Sequence, residues 1–61
     1  MKKRSIVELN GSMVDYEACV VFMDDDIREE LHMKLAPCTD QEFLDAYIDE
    51  HFKKYGVDFV I

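Results

Sequence analysis

Two short β-prone runs near the start of the chain, residues 6–9 and 12–14, flank the pair Asn10-Gly11 and indicate a β-hairpin. An Asn-Gly pair between such runs is typical of a type I′ turn, because both central residues of that turn need a positive φ. The two-residue turn also sets the strand register. This register predicts a core face made of the side chains of Val7, Leu9, Val14 and Tyr16.

Residues 16–23 fit either a helix or a strand. Ala18 and Phe22 are one helical turn apart, and Asp15 is a suitable N-cap. Val20 and Val21 are β-branched and suit a strand. We predict a short helix here, and a continuation of the hairpin is the alternative.

A second helix is predicted from the acids at 24–26 to the neighbourhood of Leu35. Acidic side chains are stabilised at a helix N-terminus by the helix dipole and the free N–H groups. Ile27, Leu31 and Leu35 recur every four residues and form a narrow apolar stripe. Pro37 then ends the helix, because the residue before a proline disfavours helical backbone.

Thr39 and Glu42 match a capping box and predict the start of a third helix, which runs to about Lys54 before Gly56. Its predicted apolar face consists of Phe43, Leu44, Tyr47, Ile48, Phe52 and Tyr55. Residues 57–61 predict a final strand that joins the hairpin. The expected fold is therefore a single α+β domain over residues 1–61, a three-stranded antiparallel-type sheet covered by two or three helices in the order β-β-α-α-α-β.

Length and composition limit what such a chain can do. With 61 residues and 7.2 kDa, a chain buries only about 60% of its unfolded surface on folding, which leaves little room for an internal catalytic cavity. The longest apolar run covers residues 18–23, far short of the roughly 20 residues of a membrane helix. The sequence also contains no apolar signal-peptide region. We expect a soluble globular protein that acts without a membrane.

No metal or cofactor site is predicted. A calcium loop starting at Asp24 needs Gly at its sixth position and Glu at its twelfth, where this chain has Glu29 and Leu35. Glu29 and His32 form a single Glu-x-x-His pair, whereas di-iron carboxylate sites use two such pairs. Helix capping explains the three consecutive acids without a ligand.

The remaining reactive side chains do not predict an enzyme. His51 falls among apolar positions of the third helix and is interpreted as a core or boundary histidine. Cys19 and Cys38 lack Cys-x-x-Cys spacing and are interpreted as free thiols in a reducing compartment, with a single disulfide as the alternative. The chain has only two glycines, so a Gly-rich phosphate loop is excluded.

Negative charge is the strongest signal in the sequence. The chain has 14 acids and 7 bases, for a net charge of −7. Residues 15–30 carry seven acids and one base, and residues 40–50 carry five acids and no base. The only basic cluster, residues 2–4, is too small for an extended nucleic-acid-binding surface. We therefore predict that this chain has a binding surface for a basic protein partner. The surface consists of Asp24, Asp25, Asp26, Glu29, Glu30, Glu42, Asp45 and Asp49.

The acids of the third helix form a stripe. Glu42, Asp45 and Asp49 fall within about 60° of one another at 100° per residue, opposite the apolar face. Such a row is either a solvated face that aids solubility or a surface that meets a groove lined with Lys and Arg. A small regulatory or structural interaction module, as a homodimer, is a further alternative, because a chain of this size cannot bury all of Met13, Phe22, Met23, Met33 and Phe59.

The segments DDDIREELH at 24–32 and LAPCTDQEFLDAY at 35–47 resemble small acidic proteins from phages, prophages and plasmids of Gram-positive bacteria. With the preceding hairpin, the resemblance covers most of the chain. Some of these proteins are anti-CRISPR inhibitors. The resemblance implies a DNA-mimicking decoy in the cytoplasm of a bacterial host, with a type II CRISPR nuclease as the partner, since that enzyme reads DNA with arginines.

Overall fold

The computed structural model describes residues 4–60. Along the chain it contains two strands, β1 (Ile6–Leu9) and β2 (Ser12–Asp15), and three helices, α1 (Tyr16–Phe22), α2 (Asp25–Leu35) and α3 (Asp40–Tyr55). Helix α3 packs against α2 and β1, and α1 packs against β2. The basic residues Lys2 and Lys3, and Ile61 of the predicted last strand, lie outside the described residues.

The hairpin forms in the register that a two-residue turn predicts. Val7 pairs with Val14, and the Asn10-Gly11 turn has φ values of 53° and 83°. Val7 is buried with Leu9, and Val14 packs half-buried against the same core with Tyr16. The predicted core face is therefore confirmed, and the opposite face of the hairpin is open to solvent.

Residues 16–22 form a helix, as predicted, and the continued hairpin is wrong. Asp15 accepts a hydrogen bond from the backbone N–H of Glu17 at 3.0 Å and caps the helix. The helix buries Cys19 completely, and Met23 just beyond it is also buried. Capping and burial together outweigh the β preference of the two valines.

The longer helices begin and end where the sequence predicts. Asp24 caps α2, and Ala36 and Pro37, joined by a cis peptide bond, follow its end. Thr39 and Glu42 form both hydrogen bonds of the capping box of α3. Gly56 ends α3 in the left-handed conformation, with φ at 73°.

The predicted third strand is absent from the described residues, where the sheet has two strands. Instead, Phe59 inserts its ring into the core and is 3% exposed. Its ring meets that of Tyr47 edge-on at 4.8 Å between centroids, and its carbonyl accepts a hydrogen bond from Asn10 Nδ2 at 3.0 Å. Side-chain contacts, rather than strand pairing, therefore fix the position of the C-terminal segment.

Gln41 occupies the free edge of β1 at Glu8. Its Oε1 accepts a hydrogen bond from the backbone N–H of Glu8 at 2.8 Å, and its Nε2 donates to the Glu8 carbonyl at 3.1 Å. The side-chain amide thus takes the two backbone groups that Glu8 would offer to a neighbouring strand.

The core lies between the hairpin and the helices, and its central residues come from α3. Leu44 and Tyr47 are completely buried, and Phe43 is 7% exposed. Phe52 and Tyr55 were predicted on the same apolar face but are 53% and 49% exposed. That part of the prediction is wrong, because the C-terminal segment covers Tyr47 and His51 and leaves the last turns of α3 open.

Candidate functional site

The eight predicted partner-binding acids lie on two helices. Five belong to α2 and its N-cap, and three belong to the outer face of α3. Most have a polar or charged neighbour within the described residues, so the side chains differ in how freely they can meet a partner.

Asp24 has a structural role. Its carboxylate accepts a hydrogen bond from Lys54 Nζ at 2.9 Å and another from the backbone N–H of Ile27. The hydrogen bond from Lys54 is the main reason that the pKa of Asp24 is lowered. Its backbone N–H donates to the hydroxyl of Tyr47 at 2.6 Å. Asp24 thus joins α2 to α3, and only 27% of its side chain is exposed.

The other acids at the start of α2 are almost fully exposed. Asp25 Oδ1 lies 3.4 Å from Arg28 Nη2, and 84% of its side chain is exposed. Asp26 is 88% exposed, at 4.0 Å from Lys54 Nζ. Exposed ion pairs of this kind contribute little stability. Both carboxylates therefore remain accessible.

Glu29 and Glu30 are adjacent in sequence but differ in surroundings. Glu30 Oε1 lies 2.8 Å from Lys34 Nζ, and the hydrogen bond from that ammonium lowers the pKa of Glu30. Glu29 makes no ion pair with any residue from 4 to 60, and it lines an open groove of about 760 Å³ between α1, α2 and the start of α3.

The acidic stripe of α3 (Glu42, Asp45 and Asp49) is present on the exposed side of the helix. Glu42 serves the capping box, and the hydrogen bond from the Thr39 backbone N–H lowers its pKa. Asp45 accepts a hydrogen bond from the neutral Gln41 amide at 3.0 Å. Asp49 lies 3.1 Å from Lys53 Nζ with 67% of its side chain exposed. Within the described range, Asp45 is the member of the stripe that has neither a capping role nor an ion pair.

A comparison with known protein families identifies the class of protein. The model of the family described as Anti-CRISPR protein AcrIC5 matches residues 7–59. The chain belongs to this anti-CRISPR family. Among curated proteins, no match was found.

Membership of the AcrIC5 family supports the expectation of an anti-CRISPR inhibitor, a class of protein that binds a CRISPR–Cas protein complex. It gives no support to an origin in Gram-positive bacteria or to a type II nuclease as the target.

The reactive side chains of this AcrIC5-family chain are placed as follows. Cys19 is buried, which raises the pKa of its thiol, and Cys38 is exposed; both are free. His51 packs between aromatic rings, with Nδ1 3.1 Å from the Val57 carbonyl. Over residues 4–60, no group of three or more His, Cys, Asp or Glu side chains is placed to hold a metal ion. None of the described helices is both long and apolar enough to span a membrane.

The sequence did not reveal the groove. Its walls come from α1, α2, the linker between α2 and α3, and the first turn of α3. Met33 and Asp40 line it, but neither stands out in the hydrophobic pattern. Only the packing of three separate elements brings these side chains around Glu29.

Proposed function

We propose that this protein inhibits a type I-C CRISPR–Cas effector as an acidic decoy, in which the outer faces of α2 and α3 occupy a basic surface that otherwise binds nucleic-acid phosphates. The type assignment follows the designation of the family, which refers to type I-C systems. A type II nuclease then becomes the specificity control.

The observation that carries the decoy proposal is the exposed acidic stripe on α3. Like charges four residues apart on a helix repel, so Asp45 and Asp49 are mildly unfavourable for the isolated helix. Positive charges of a basic partner relieve the repulsion between the two carboxylates, which makes binding more favourable. A surface of this sign also speeds association with a basic partner, and the effect weakens with salt.

Rigid presentation supports the same proposal. The capping box fixes the start of α3, and burial of Phe43, Leu44 and Tyr47 fixes its inner face. The backbone positions of the stripe therefore keep constant spacing, so little backbone order has to be established on binding.

The test is inhibition of target-DNA binding by a purified, guide-loaded type I-C effector. The double variant Asp45→Asn/Asp49→Asn is compared with Glu17→Gln/Asp58→Asn, which removes the same two charges from other exposed positions. We expect the first variant to need about tenfold more protein for half-inhibition, about 1.4 kcal/mol in binding free energy. The control pair should change this concentration by less than about threefold, because distant charges are screened.

Thermal unfolding of both double variants serves as the folding control. Equal loss of inhibition in the two double variants would contradict a specific role for the stripe and leave only an effect of net charge. Inhibition of a type II nuclease but not of the type I-C effector would contradict the target assignment.

A further inference from the structure

The groove beside Glu29 combines an apolar lining with carboxylates. Tyr16 of α1, Met33 of α2 and Phe43 of α3 line it, and Glu29 and Asp40 supply the carboxylates. It is open to solvent, and its volume of about 760 Å³ is ample for a long side chain.

The carboxylates of the groove are available to a ligand. Glu29 is exposed and makes no ion pair within the described part of the chain. Asp40 is half-buried, and its Oδ2 accepts a hydrogen bond from Ser5 Oγ, so its position is fixed by the hairpin. A groove whose lining combines apolar side chains with two carboxylates suits a side chain with an alkyl stem and a cationic head.

Arg28 also lines the groove, and its ion pair is with a residue outside the groove. Its Nη2 lies 3.4 Å from Oδ1 of Asp25, a residue that does not line the groove. Within residues 4–60, Arg28 thus pairs with Asp25, and Glu29 makes no ion pair.

We propose that this groove receives an arginine side chain of the protein that the inhibitor binds, with the stem on Met33 and Phe43 and the guanidinium at Glu29 and Asp40. The proposal rests on the proposed function, since it names the chemistry by which a basic partner is held. An arginine fits better than a lysine, because its planar head also stacks on an aromatic ring such as Tyr16. Anchors that enter a pocket commonly carry most of the affinity of an interface.

Charge substitutions at Met33 test the chemistry of the occupant. Met33 is 86% exposed, so Met33→Arg and Met33→Glu leave the core intact, and both residues are good helix formers. Inhibition of DNA binding by the guide-loaded type I-C effector is measured for each. Met33→Arg should raise the half-inhibitory concentration about tenfold or more, whereas Met33→Glu should inhibit as well as the unchanged protein or better. Met13→Arg, on the outer face of β2 with 69% exposure, is the control for added charge.

Glu29→Gln and Glu17→Gln are a second matched pair, because both remove one charge from an exposed glutamate on a helix. Glu29→Gln should weaken inhibition about tenfold, since it removes a charge-assisted hydrogen-bond partner, while Glu17→Gln, which lies outside the groove and on α1, should have little effect. Equal behaviour within this pair, or equal loss from Met33→Arg and Met33→Glu, would overturn the arginine proposal.

The two proposals fail in different ways. If the groove variants match their controls while the Asp45/Asp49 variant loses inhibition, the groove proposal is overturned and the acidic decoy stands. If the unchanged protein does not inhibit the type I-C effector, the proposed function is overturned, and the groove proposal with it.

Discussion

Tyr47 shows how a single residue connects the parts of this small protein. Its side chain is completely buried, and its hydroxyl accepts a hydrogen bond from the Asp24 backbone N–H at 2.6 Å. Burial is the main reason that its pKa is raised. The ring packs against Phe59 at 4.8 Å and against His51 at 5.7 Å. One tyrosine therefore holds the cap of α2, the inner face of α3 and the C-terminal segment together.

Tyr47→Phe should lower the free energy of unfolding by about 1–2 kcal/mol, because the N–H of Asp24 loses its partner while the packing of the ring is kept. Urea denaturation measures this change. Tyr16→Phe is the control, since the Tyr16 hydroxyl makes no hydrogen bond to residues 4–60 and its removal should cost little. Equal destabilisation by both variants would contradict the role given to the Tyr47 hydroxyl.

The roles of single residues in the candidate site were only partly predictable from the sequence. Glu29 and Glu30 look alike in the sequence, since both are acids on the exposed side of a predicted helix. The structure separates them, because Lys34 pairs with Glu30 and the groove adjoins Glu29. Which acid faces a groove depends on the packing of α1 and the α2–α3 linker, and no local pattern encodes it.

The elements were predictable where their signals are local. The positive φ values of the Asn10-Gly11 turn and the capping box of α3 depend on neighbouring residues only, and both appear as predicted. The predicted last strand is absent from the described residues, and strand pairing depends on residues that are distant in the sequence. Gln41 occupies the edge of β1 at Glu8, 33 positions away in sequence. The C-terminal segment, although its residues prefer a strand, packs against the core through the ring of Phe59.

The capping box of α3 stabilises the start of this helix. Thr39→Ala removes the side-chain oxygen that accepts the hydrogen bond from the Glu42 N–H at 3.1 Å. It should lower the free energy of unfolding by about 1 kcal/mol, while Thr39→Ser, which keeps the hydroxyl, should change it by a few tenths. Urea denaturation of the two variants measures both values. An alanine variant as stable as the serine variant would show that the cap contributes nothing.

The whole molecule exposes more surface than its mass predicts. Its accessible area is 4617 Å², against roughly 4,100 Å² for a compact protein of this mass. Met13, Phe22 and Met33 are exposed, as expected for a chain too small to bury all its apolar side chains, whereas Met23 and Phe59 are buried. Acidic surface and exposed apolar side chains thus occur together, a combination that suits an interface with a polar rim and apolar anchors.

The decisive measurement for the acidic decoy is competition between this protein and target DNA for the guide-loaded type I-C effector. The affinity of the protein for the effector is measured before and after the effector is saturated with target DNA, at low and at moderate salt. We expect the protein and target DNA to bind the effector in a mutually exclusive way, with an affinity of the protein that falls as salt rises. A ternary complex in which the protein binds the DNA-loaded effector with unchanged affinity would contradict this expectation.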